Sequence, residues 1–428
     1  MQIRQVISVA FVLVVSGCST PTPQASFGNA ALPGGAVKWT RSGGTLTSLY
    51  SFQGEPDGAV PQGPVSVYHG CANVCTAEVI GNTSTGGTNN AGTIYLLFSP
   101  DLTTGGRWTE RALLSYTPSE TGSDPTGSVI ARNGYGGPIF GMASQGGTQG
   151  KGTAVEIKGT TNAVLSFNGR DGAFPAGGLS PLGHTNFAAT SAGGSHDLGA
   201  IISITRYKRL RPKVLYSFSG QSDGEHPNSQ LTACDQYGCP HYGTTAGSKS
   251  VPATVYVFTP GHGLATLYTF ANSKDVETPT GVTPYRYYGS SKNVSLFGTT
   301  LKGGSSGYGT LFVLKPHGST YKKVTLHTFA GGTTDGAYPY GPPIFTEGEH
   351  PDLYLVTASG GSGGCGTIFS YNFSSAKYTL LYSFTCGADG AYPEAPIVSD
   401  VTYGNLYYGT TSAGGTANDG VVFSFNPH

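Results

Sequence analysis

The chain has 428 residues, 11% of them charged, and its formal net charge at pH 7 is zero, so nothing in it indicates an electrostatic partner such as nucleic acid. Its 67 glycines have no three-residue period, which excludes collagen, and aromatic residues spread along the whole chain argue against disorder. Many turns joining many short aromatic strands are the expected structure.

The N-terminal segment is typical of a secretory signal. One positive charge at Arg4 precedes an apolar run over residues 6–15, which is too short to span a bilayer. The run closes on small residues before Cys18 and so resembles the bacterial lipobox, in which the cysteine is acylated and becomes the first mature residue. We predict a signal peptide over 1–17 and lipid attachment at Cys18. An ordinary signal peptide with a chance cysteine is the alternative.

The segment after the cysteine is polar and rich in Pro, Ser and Gly. This composition predicts a flexible tether over residues 18–44. Ser19 directly follows the cysteine, which by resemblance to Gram-negative lipoproteins favours the outer membrane. We therefore expect an exported protein that is anchored through its lipid to the bacterial outer membrane or cell surface.

A repeat domain is predicted over residues 45–426, where a three-part pattern occurs seven times. The first part is a strand that ends in an aromatic residue, and consecutive copies lie about 50–65 residues apart, a period typical of solenoids, propellers or arrays. These aromatic residues are Phe52, Tyr116, Phe167, Phe218, Phe270, Phe329 and Phe384. We expect most of the repeating aromatic side chains to pack in the core.

The second part of the repeat is a strand with a small residue inside it, usually followed two positions later by threonine. The small position holds Gly81, Gly141, Ala188, Gly243, Gly298 and Gly409, with Leu355 in the sixth copy. Glycine inside a strand indicates close backbone approach, as where sheets converge on an axis. The third part follows a Gly-Gly turn, as in Gly303-Gly304, and is a strand that opens with Gly-Thr or a similar pair.

Four short antiparallel strands per repeat, seven repeats and no helical periodicity beyond the signal predict an all-β, seven-bladed β-propeller. The first clear strand, residues 45–52, is of the type that ends a blade elsewhere, whereas the last, residues 420–425, is a third strand without a fourth. We therefore predict that the N-terminal strand pairs with the last blade and closes the ring, which removes two free sheet edges.

Six cysteines follow Cys18, and an even number in an exported protein suggests disulfide bridges. Their positions in the repeat predict the pairs Cys71–Cys75, Cys234–Cys239 and Cys365–Cys386. The last pair joins the start of a third strand to the end of a fourth, and these ends are neighbours in an antiparallel pair. A zinc site is the alternative for the first two pairs, but they lie three blades apart and lack a histidine at finger spacing.

A D-G-x-x-P motif recurs between blades and supplies the candidate ligand residues. Its acidic positions are Asp57, Asp171, Asp223, Asp335 and Asp389. In a propeller this connection shares a face with the Gly-Gly hairpin, so the carboxylates could form a partial ring that holds a cation or sugar hydroxyls. Alternatively, each aspartate accepts backbone N–H bonds within its own turn. No catalytic residue, metal site or cofactor is predicted, because the glycine-rich motif matches fall in hairpins rather than before helices.

The pattern L-Y-G-T-T-x-x-G-G, then G-T-V-F, L-Y-S-F and D-G-x-x-P, resembles the GloVer (Gloeo/Verruco) tandem repeat. It is carried by residues 406–423, residues 296–312 and weaker copies over about 45–426. The resemblance implies exported surface proteins and supplies no activity or catalytic residues. We predict a monomeric binding or scaffold module for a glycan or an envelope protein. The alternatives are an enzyme that degrades extracellular polysaccharide, as a hydrolase or lyase, and a purely structural envelope component.

Overall fold

The folded part of the chain consists of strands and turns. The computed structural model describes residues 37–41, 43–71, 75–99, 107–132, 137–159, 161–182, 185–206, 209–233, 240–270, 277–286, 294–318, 320–346, 352–400 and 406–427. Over these ranges the strands form seven antiparallel sheets. No helix in them is long and apolar enough to cross a membrane. The predicted seven-bladed propeller is confirmed.

The first half of the ring contains two N-terminal strands and three complete blades. The N-terminal strands are β1 (Val37–Arg41) and β2 (Gly44–Ser51). Blade 1 contains β3 (Gly58–Pro61), β4 (Ser66–Cys71), β5 (Cys75–Gly86), β6 (Thr93–Ser99) and β7 (Thr109–Ser115). Blade 2 contains β8 (Ser123–Ala131), β9 (Ile139–Gln145), β10 (Thr153–Lys158) and β11 (Thr161–Ser166). Blade 3 contains β12 (Ala173–Pro175), β13 (Ser180–Leu182), β14 (Thr185–Ala192), β15 (Ala200–Arg206) and β16 (Leu210–Ser217).

The second half contains blades 4 to 7. Blade 4 contains β17 (Thr232–Ala233), β18 (His241–Thr244), β19 (Thr254–Thr259) and β20 (Gly263–Thr269). Blade 5 contains β21 (Pro279–Arg286), β22 (Val294–Thr300), β23 (Thr310–His317) and β24 (Thr320–Thr328). Blade 6 contains β25 (Gly336–Phe345), β26 (Leu353–Gly360), β27 (Thr367–Asn372) and β28 (Lys377–Ser383). Blade 7 contains β29 (Val398–Asp400), β30 (Leu406–Thr411) and β31 (Val421–Asn426), completed by β2 and β1.

The ring closes as predicted, because β2 pairs with β31. Leu46 lies opposite Phe425, and Ser51 lies opposite Val421, in an antiparallel register. Blade 7 has the strand order β1-β2-β31-β30-β29, so strands from both ends of the chain share one sheet. On the inner side, the His69 Nε2 atom of blade 1 lies 2.7 Å from the Asp400 Oδ2 atom of blade 7, which joins the same two blades near the axis.

The outermost strand of blade 7 lies within the segment that we expected to be tether. β1 pairs with β2 from Val37 opposite Ser48 to Arg41 opposite Gly44. The folded domain therefore begins before residue 45, and blade 7 has one more outer strand than the repeat pattern predicts.

The hydrophobic core lies between neighbouring blades. Side chains from blade 1, such as Ile80 and Ile94, form one cluster with Val129 and Ile139 of blade 2. The aromatic residues that end the first part of every repeat are all buried, as expected. Each blade therefore depends on the next for the burial of its apolar side chains, since a single small sheet cannot bury both its faces.

Four of the strand-interior glycines have a different cause from the one we expected. Gly81 lies opposite Tyr95 and Gly409 opposite Phe423 on the neighbouring strand of the same blade. A Cβ at Gly409 would lie 2.5 Å from Phe423 Cζ, which is closer than real Cβ atoms approach. The glycine therefore makes room for the aromatic ring of its cross-strand partner, and convergence on the axis does not explain it. Gly243 and Gly298 have the same arrangement with Tyr256 and Phe312.

One predicted disulfide can be seen directly. Cys365 and Cys386 are bonded, with their Cα atoms 5.4 Å apart, which confirms that pair. The backbones of Cys71 and Cys75 face each other across β4 and β5, but their side chains lie outside the described part of the structure. Cys18, Cys234 and Cys239 also lie outside it, so these bridges and the lipid attachment stay predictions.

Candidate binding site at the channel mouth

The D-G-x-x-P connections lock each blade to the blade before it. In the connection to blade 7, the Tyr392 N–H donates to the Cys365 carbonyl at 2.8 Å. Pro393 packs on Gly366, where a Cβ would lie 2.5 Å from the proline Cδ. The Gly361 N–H of the Gly-Gly turn also donates to a connection carbonyl, that of Asp335, at 2.8 Å. The connection and the hairpin therefore share one face of the ring, and the motif repeats because it makes the same contacts at most blade interfaces.

Two of the five predicted ligand aspartates are buried inside their own turns. Asp389 has no exposed surface, and it accepts hydrogen bonds from the Tyr382 hydroxyl and the Thr385 N–H, both at 2.9 Å. The Thr385 hydroxyl also donates to it. Asp223 is held in the same way by the Tyr216 hydroxyl at 2.9 Å and the Ser219 N–H at 2.8 Å. Such carboxylates cap turns, because their oxygens are already used as acceptors.

The other three aspartates are also used by their turns. Asp57 accepts from the Tyr50 hydroxyl at 3.0 Å and from the Gly58 N–H at 2.7 Å. Asp335 accepts from the Ala330 and Gly336 N–H groups at 2.8 Å and contacts His327, and Asp171 accepts from the Asn168 N–H at 2.9 Å. None of the five lines the central channel. The turn-capping alternative therefore describes their geometry, and they do not form a ring of free carboxylates.

The repeat itself contains a sequence signal that these aspartates cap turns. The tyrosine of the L-Y-S-F segment precedes the aspartate by seven residues in Tyr50–Asp57, Tyr216–Asp223 and Tyr382–Asp389. In the folded chain, that spacing brings the phenol to the carboxylate. The two motifs occur together because they form one hydrogen-bonded unit.

The central channel contains a cavity of about 320 Å³, which is within the range of small-molecule sites. Residues from all seven blades line it. At its mouth, the residue directly after the repeated proline contributes from every blade, as Gln62, Thr126, Ala176, Asn228, Thr280, Tyr340 and Glu394. These seven positions form the channel mouth.

The residues that follow the mouth positions are small, because the blades converge here. A Cβ at Gly63 would lie 2.5 Å from the Gly127 carbonyl oxygen of the next blade. A Cβ at Gly341 would lie 2.7 Å from Pro396 Cδ. Close approach at the axis therefore explains these glycines, and it leaves the mouth residues as the side chains that vary around the ring.

Around one part of the ring, the mouth side chains are used by the protein. Thr126 donates to the Pro175 carbonyl at 3.2 Å, and Asn228 donates to the Pro279 carbonyl at 2.8 Å. The Thr280 hydroxyl bonds the Thr299 hydroxyl at 2.7 Å, and Ala176 has no polar side-chain atom. Blades 2 to 5 therefore offer few side-chain polar groups to a ligand at the mouth.

The adjacent blades 6, 7 and 1 differ. Tyr340, Glu394 and Gln62 have no hydrogen-bond partner for their side chains among the residues that the structure describes. Partial burial, followed by the negative charge of Glu394, raises the pKa of Tyr340, so the phenol stays a hydrogen-bond donor at neutral pH. Glu394 is the sole carboxylate among the described residues that line the cavity. One arc of the mouth thus presents a phenol, a carboxylate and an amide side by side.

Sequence reasoning missed this arc because it considered the repeated residues. The proline and the small residue that flank each mouth position recur, whereas the residue between them is of six different types in the seven blades. In the sequence, the signal for such a site is a variable position between two repeated ones. Its significance depends on ring closure, which brings positions from blades 6 and 1 to either side of blade 7.

A second group of acids lies at the junction of blades 7 and 1. Burial raises the pKa of Asp57, and burial together with the charge of Asp57 raises the pKa of Glu110 to about 7. The Glu110 Oε1 atom is buried without a hydrogen-bond partner in the described structure. Within that same part of the chain, no group of His, Cys, Asp and Glu side chains is placed to hold a metal ion. We interpret Glu110 as a source of pH-dependent stability.

Replacement of Glu110 by glutamine should stabilise the protein at pH 8 and leave it unchanged near pH 4.5. The folded pKa of about 7 exceeds the ordinary value of 4.5, so folded Glu110 binds more protons in this window and its contribution to stability falls as pH rises. Thermal unfolding of wild type and Glu110→Gln at both pH values measures this. The exposed Glu120→Gln is the control, and equal shifts for the two variants would contradict the assignment.

The fold and the mouth define a class: a seven-bladed propeller with an asymmetric polar site on its axis. Residues 240–428 match the family model described as the Gloeobacter/Verrucomicrobia repeat, which confirms the resemblance seen in the repeat motif. No curated protein sequence matches the chain.

Solved structures with similar folds have low sequence identity to this chain. A protein of unknown function from Dyadobacter fermentans is 12% identical, with a TM-score of 0.48, over 90% of this chain and 99% of that one. The lectin BP39L from Burkholderia pseudomallei is 10% identical, with a TM-score of 0.49, over 88% and 98%. An α-L-arabinanase from Penicillium chrysogenum, complexed with arabinobiose, is 11% identical, with a TM-score of 0.42, over 70% and 93%.

Proposed function

We propose that the chain is a glycan-binding module whose ligand site is the arc of the channel mouth formed by Tyr340, Glu394 and Gln62. The observation that carries this proposal is that these three side chains, on consecutive blades, are not used by the protein, whereas most mouth side chains elsewhere are. A carboxylate and an amide accept and donate hydrogen bonds to hydroxyl groups, and the phenol adds an aromatic face. A cavity with a few convergent polar groups suits a neutral, hydroxyl-rich ligand.

The module acts outside the cytoplasm in this proposal. The disulfide between Cys365 and Cys386 is typical of an exported protein. A lipid on Cys18 would hold the propeller at the bacterial outer membrane or cell surface, with part of the segment before residue 37 as the spacer. In that place the mouth would capture glycans of the envelope or the surroundings. Mass spectrometry of the mature N-terminus tests the anchor, and an unmodified Cys18 would remove it from the proposal.

A polysaccharide hydrolase is the less favoured function. Glycoside hydrolysis commonly uses two carboxyl groups about 5–10 Å apart on either side of the scissile bond. The described lining of the cavity contains Glu394 and no second acid, and the aspartates of the connections are used in their turns. This arrangement favours binding without cleavage.

Glu394→Gln should weaken glycan binding by about tenfold or more, since a charged hydrogen bond contributes about 1.5–3 kcal/mol. Tyr340→Ala should also weaken it by about tenfold, because it removes a neutral hydrogen bond of about 0.5–1.5 kcal/mol together with the aromatic face. A glycan array with the chain lacking residues 1–18 would identify the sugar, and calorimetry would then measure both variants. Glu120→Gln, an exposed glutamate outside the mouth, is the matched control for charge loss. If the array detects no sugar, or if Glu394→Gln binds like wild type, the mouth is not a glycan site. A shortened product would instead support the hydrolase.

A further inference from the structure

Among the residues that the structure describes, the exposed aromatic side chains are concentrated on the face that contains the channel mouth. Among the described residues, five large hydrophobic side chains are exposed: Val164, Phe174, Tyr308, Tyr340 and Tyr392. Tyr340 belongs to the mouth, while Phe174 and Tyr392 directly precede the repeated proline. Tyr308 lies on the blade 5 hairpin, where its ring centroid is 5.5 Å from that of Tyr338, another residue that precedes the proline. All except Val164 therefore lie in these connections or the hairpin beside them.

The backbone at the position before the proline is in a conformation that suits glycine. Six of the connections have a non-glycine residue in the left-handed region here, with φ between 50° and 59°. These residues are Val60, Asp124, Phe174, His226, Tyr338 and Tyr392. A bulky side chain in this region is an outlier that costs free energy, whereas glycine adopts it at little cost. Strain of this kind is concentrated at binding and active sites in proteins.

The fold does not explain the aromatic identity of these residues. The residue before the proline locks its blade to the previous one through its backbone N–H. The Val60 N–H donates to the Asp419 carbonyl at 2.8 Å, and the Tyr392 N–H donates to the Cys365 carbonyl at the same distance of 2.8 Å. The hydrogen bond therefore requires no particular side chain. Phe174 and Tyr392 are 39% and 42% exposed, so their rings are not held there by the core.

These aromatic residues are close to mouth residues along the chain. Tyr392 is separated from the mouth residue Glu394 by one proline, and Phe174 is separated from Ala176 in the same way. Two residues of extended chain span about 7 Å at most. A ligand unit in the mouth would therefore have its neighbours over the aromatic residues of the connections.

We propose that Phe174, Tyr338 and Tyr392, with Tyr308, form an aromatic rim that stacks on sugar units at opposite sides of the mouth, on a glycan chain that lies across it. This inference rests on the proposed function and extends it: the ligand is an oligosaccharide or polysaccharide chain, and the rim supplies its additional subsites. Pyranose rings present C–H groups on their faces, and the negative face of an aromatic ring attracts them. The rim retains strained aromatic residues because the bound chain contacts them.

The test compares monomers with hexamers on the full chain in detergent. The probes are glucose, xylose and N-acetylglucosamine, each with its linear hexamer, and tyrosine fluorescence and calorimetry report binding. For the best pair, we expect the hexamer to bind wild type at least tenfold more tightly than the monomer. Phe174→Gly combined with Tyr392→Gly should remove most of that gain, leave the monomer Kd unchanged and not lower the melting temperature, because glycine suits the backbone.

Val60→Gly is the matched control, since it changes the same backbone position in blade 1 without removing an aromatic ring. It should leave both affinities unchanged. Two results would contradict the aromatic rim and leave the mouth site unaffected. One is equal affinity of wild type for monomer and hexamer, and the other is a double variant that still binds the hexamer as much more tightly than the monomer as wild type does. If Glu394→Gln loses monomer binding while the double variant and Val60→Gly keep it, that result supports the mouth site whether or not the rim binds sugar. If no probe of either length binds wild type, both the rim and the proposed function fail.

Discussion

Removal of residues 1–51 should leave a chain that does not fold cooperatively, whereas removal of residues 1–36 should leave the propeller intact. The longer deletion takes away β1 and β2 and exposes one edge of β31, whose Val421, Phe423 and Phe425 are fully buried. It also removes Leu46 and Leu49, both buried in the intact ring. Two buried leucines contribute about 3–6 kcal/mol, which is a large fraction of the roughly 5–15 kcal/mol that stabilises a typical domain.

Thermal unfolding followed by near-ultraviolet circular dichroism distinguishes the two chains. The chain that starts at residue 37 should show one sharp transition, and the chain that starts at residue 52 should show none or a broad one at much lower temperature. Leu46→Ala provides a milder version in the full chain, with an expected loss of about 2–5 kcal/mol. A sharp transition within a few degrees of the control in the shorter chain would mean that closure by β2 contributes little.

Asp389→Ala should destabilise the protein by about 2–4 kcal/mol, because it removes the carboxylate that accepts from the buried Tyr382 hydroxyl and from the Thr385 N–H, at a position with no exposed surface. Each buried donor that loses its partner costs about 1–3 kcal/mol. Urea unfolding measures the loss. Asp389→Asn keeps one oxygen acceptor and should lose less. Glycan binding by the folded fraction should be unchanged, because Asp389 does not line the channel.

Asp171→Ala is the control for this prediction. It occupies the equivalent position in another connection, but within the described structure its carboxylate accepts a single hydrogen bond, from the Asn168 N–H, and that bond is exposed to solvent. We expect a loss of no more than about 0.5 kcal/mol, as for an ordinary surface substitution. If the two alanine variants unfold at the same urea concentration, or if Asp389→Asn weakens glycan binding without loss of stability, then the aspartates are ligand residues after all.

The repeated positions and the mouth have separate roles in this chain. Proline, glycine and aspartate recur in the connections because each blade interface uses the same turn, the same packing of proline on glycine and the same N–H bond to the previous blade. The side chains that this shared backbone presents at the channel mouth and before the repeated proline, such as Tyr340 and Tyr392, vary between blades. Recognition can therefore change without altering the interface between blades.

The amino-acid sequence alone determined the local structure of this protein and its architecture. The strand-ending aromatic residues, the Gly-Gly turns and the repeat phase predicted seven blades, closure by the N-terminal strand and the bridge between Cys365 and Cys386, because these depend on contacts within one repeat or between its ends. The same repetition identified the five aspartates. It left two interpretations of them open, a ring of ligand-binding carboxylates and the turn capping that the structure contains.

Only the tertiary structure decided which side chains are available to a ligand. Asn228 is occupied because blade 5 places the Pro279 carbonyl beside it, whereas Glu394 and Gln62 face the channel without such a partner in the described chain. Whether a polar side chain is satisfied depends on the neighbouring blade, which is roughly 50 residues away in sequence. Ring closure brings these distant residues together, so the arc of the mouth and its aromatic rim could not be inferred from any single repeat.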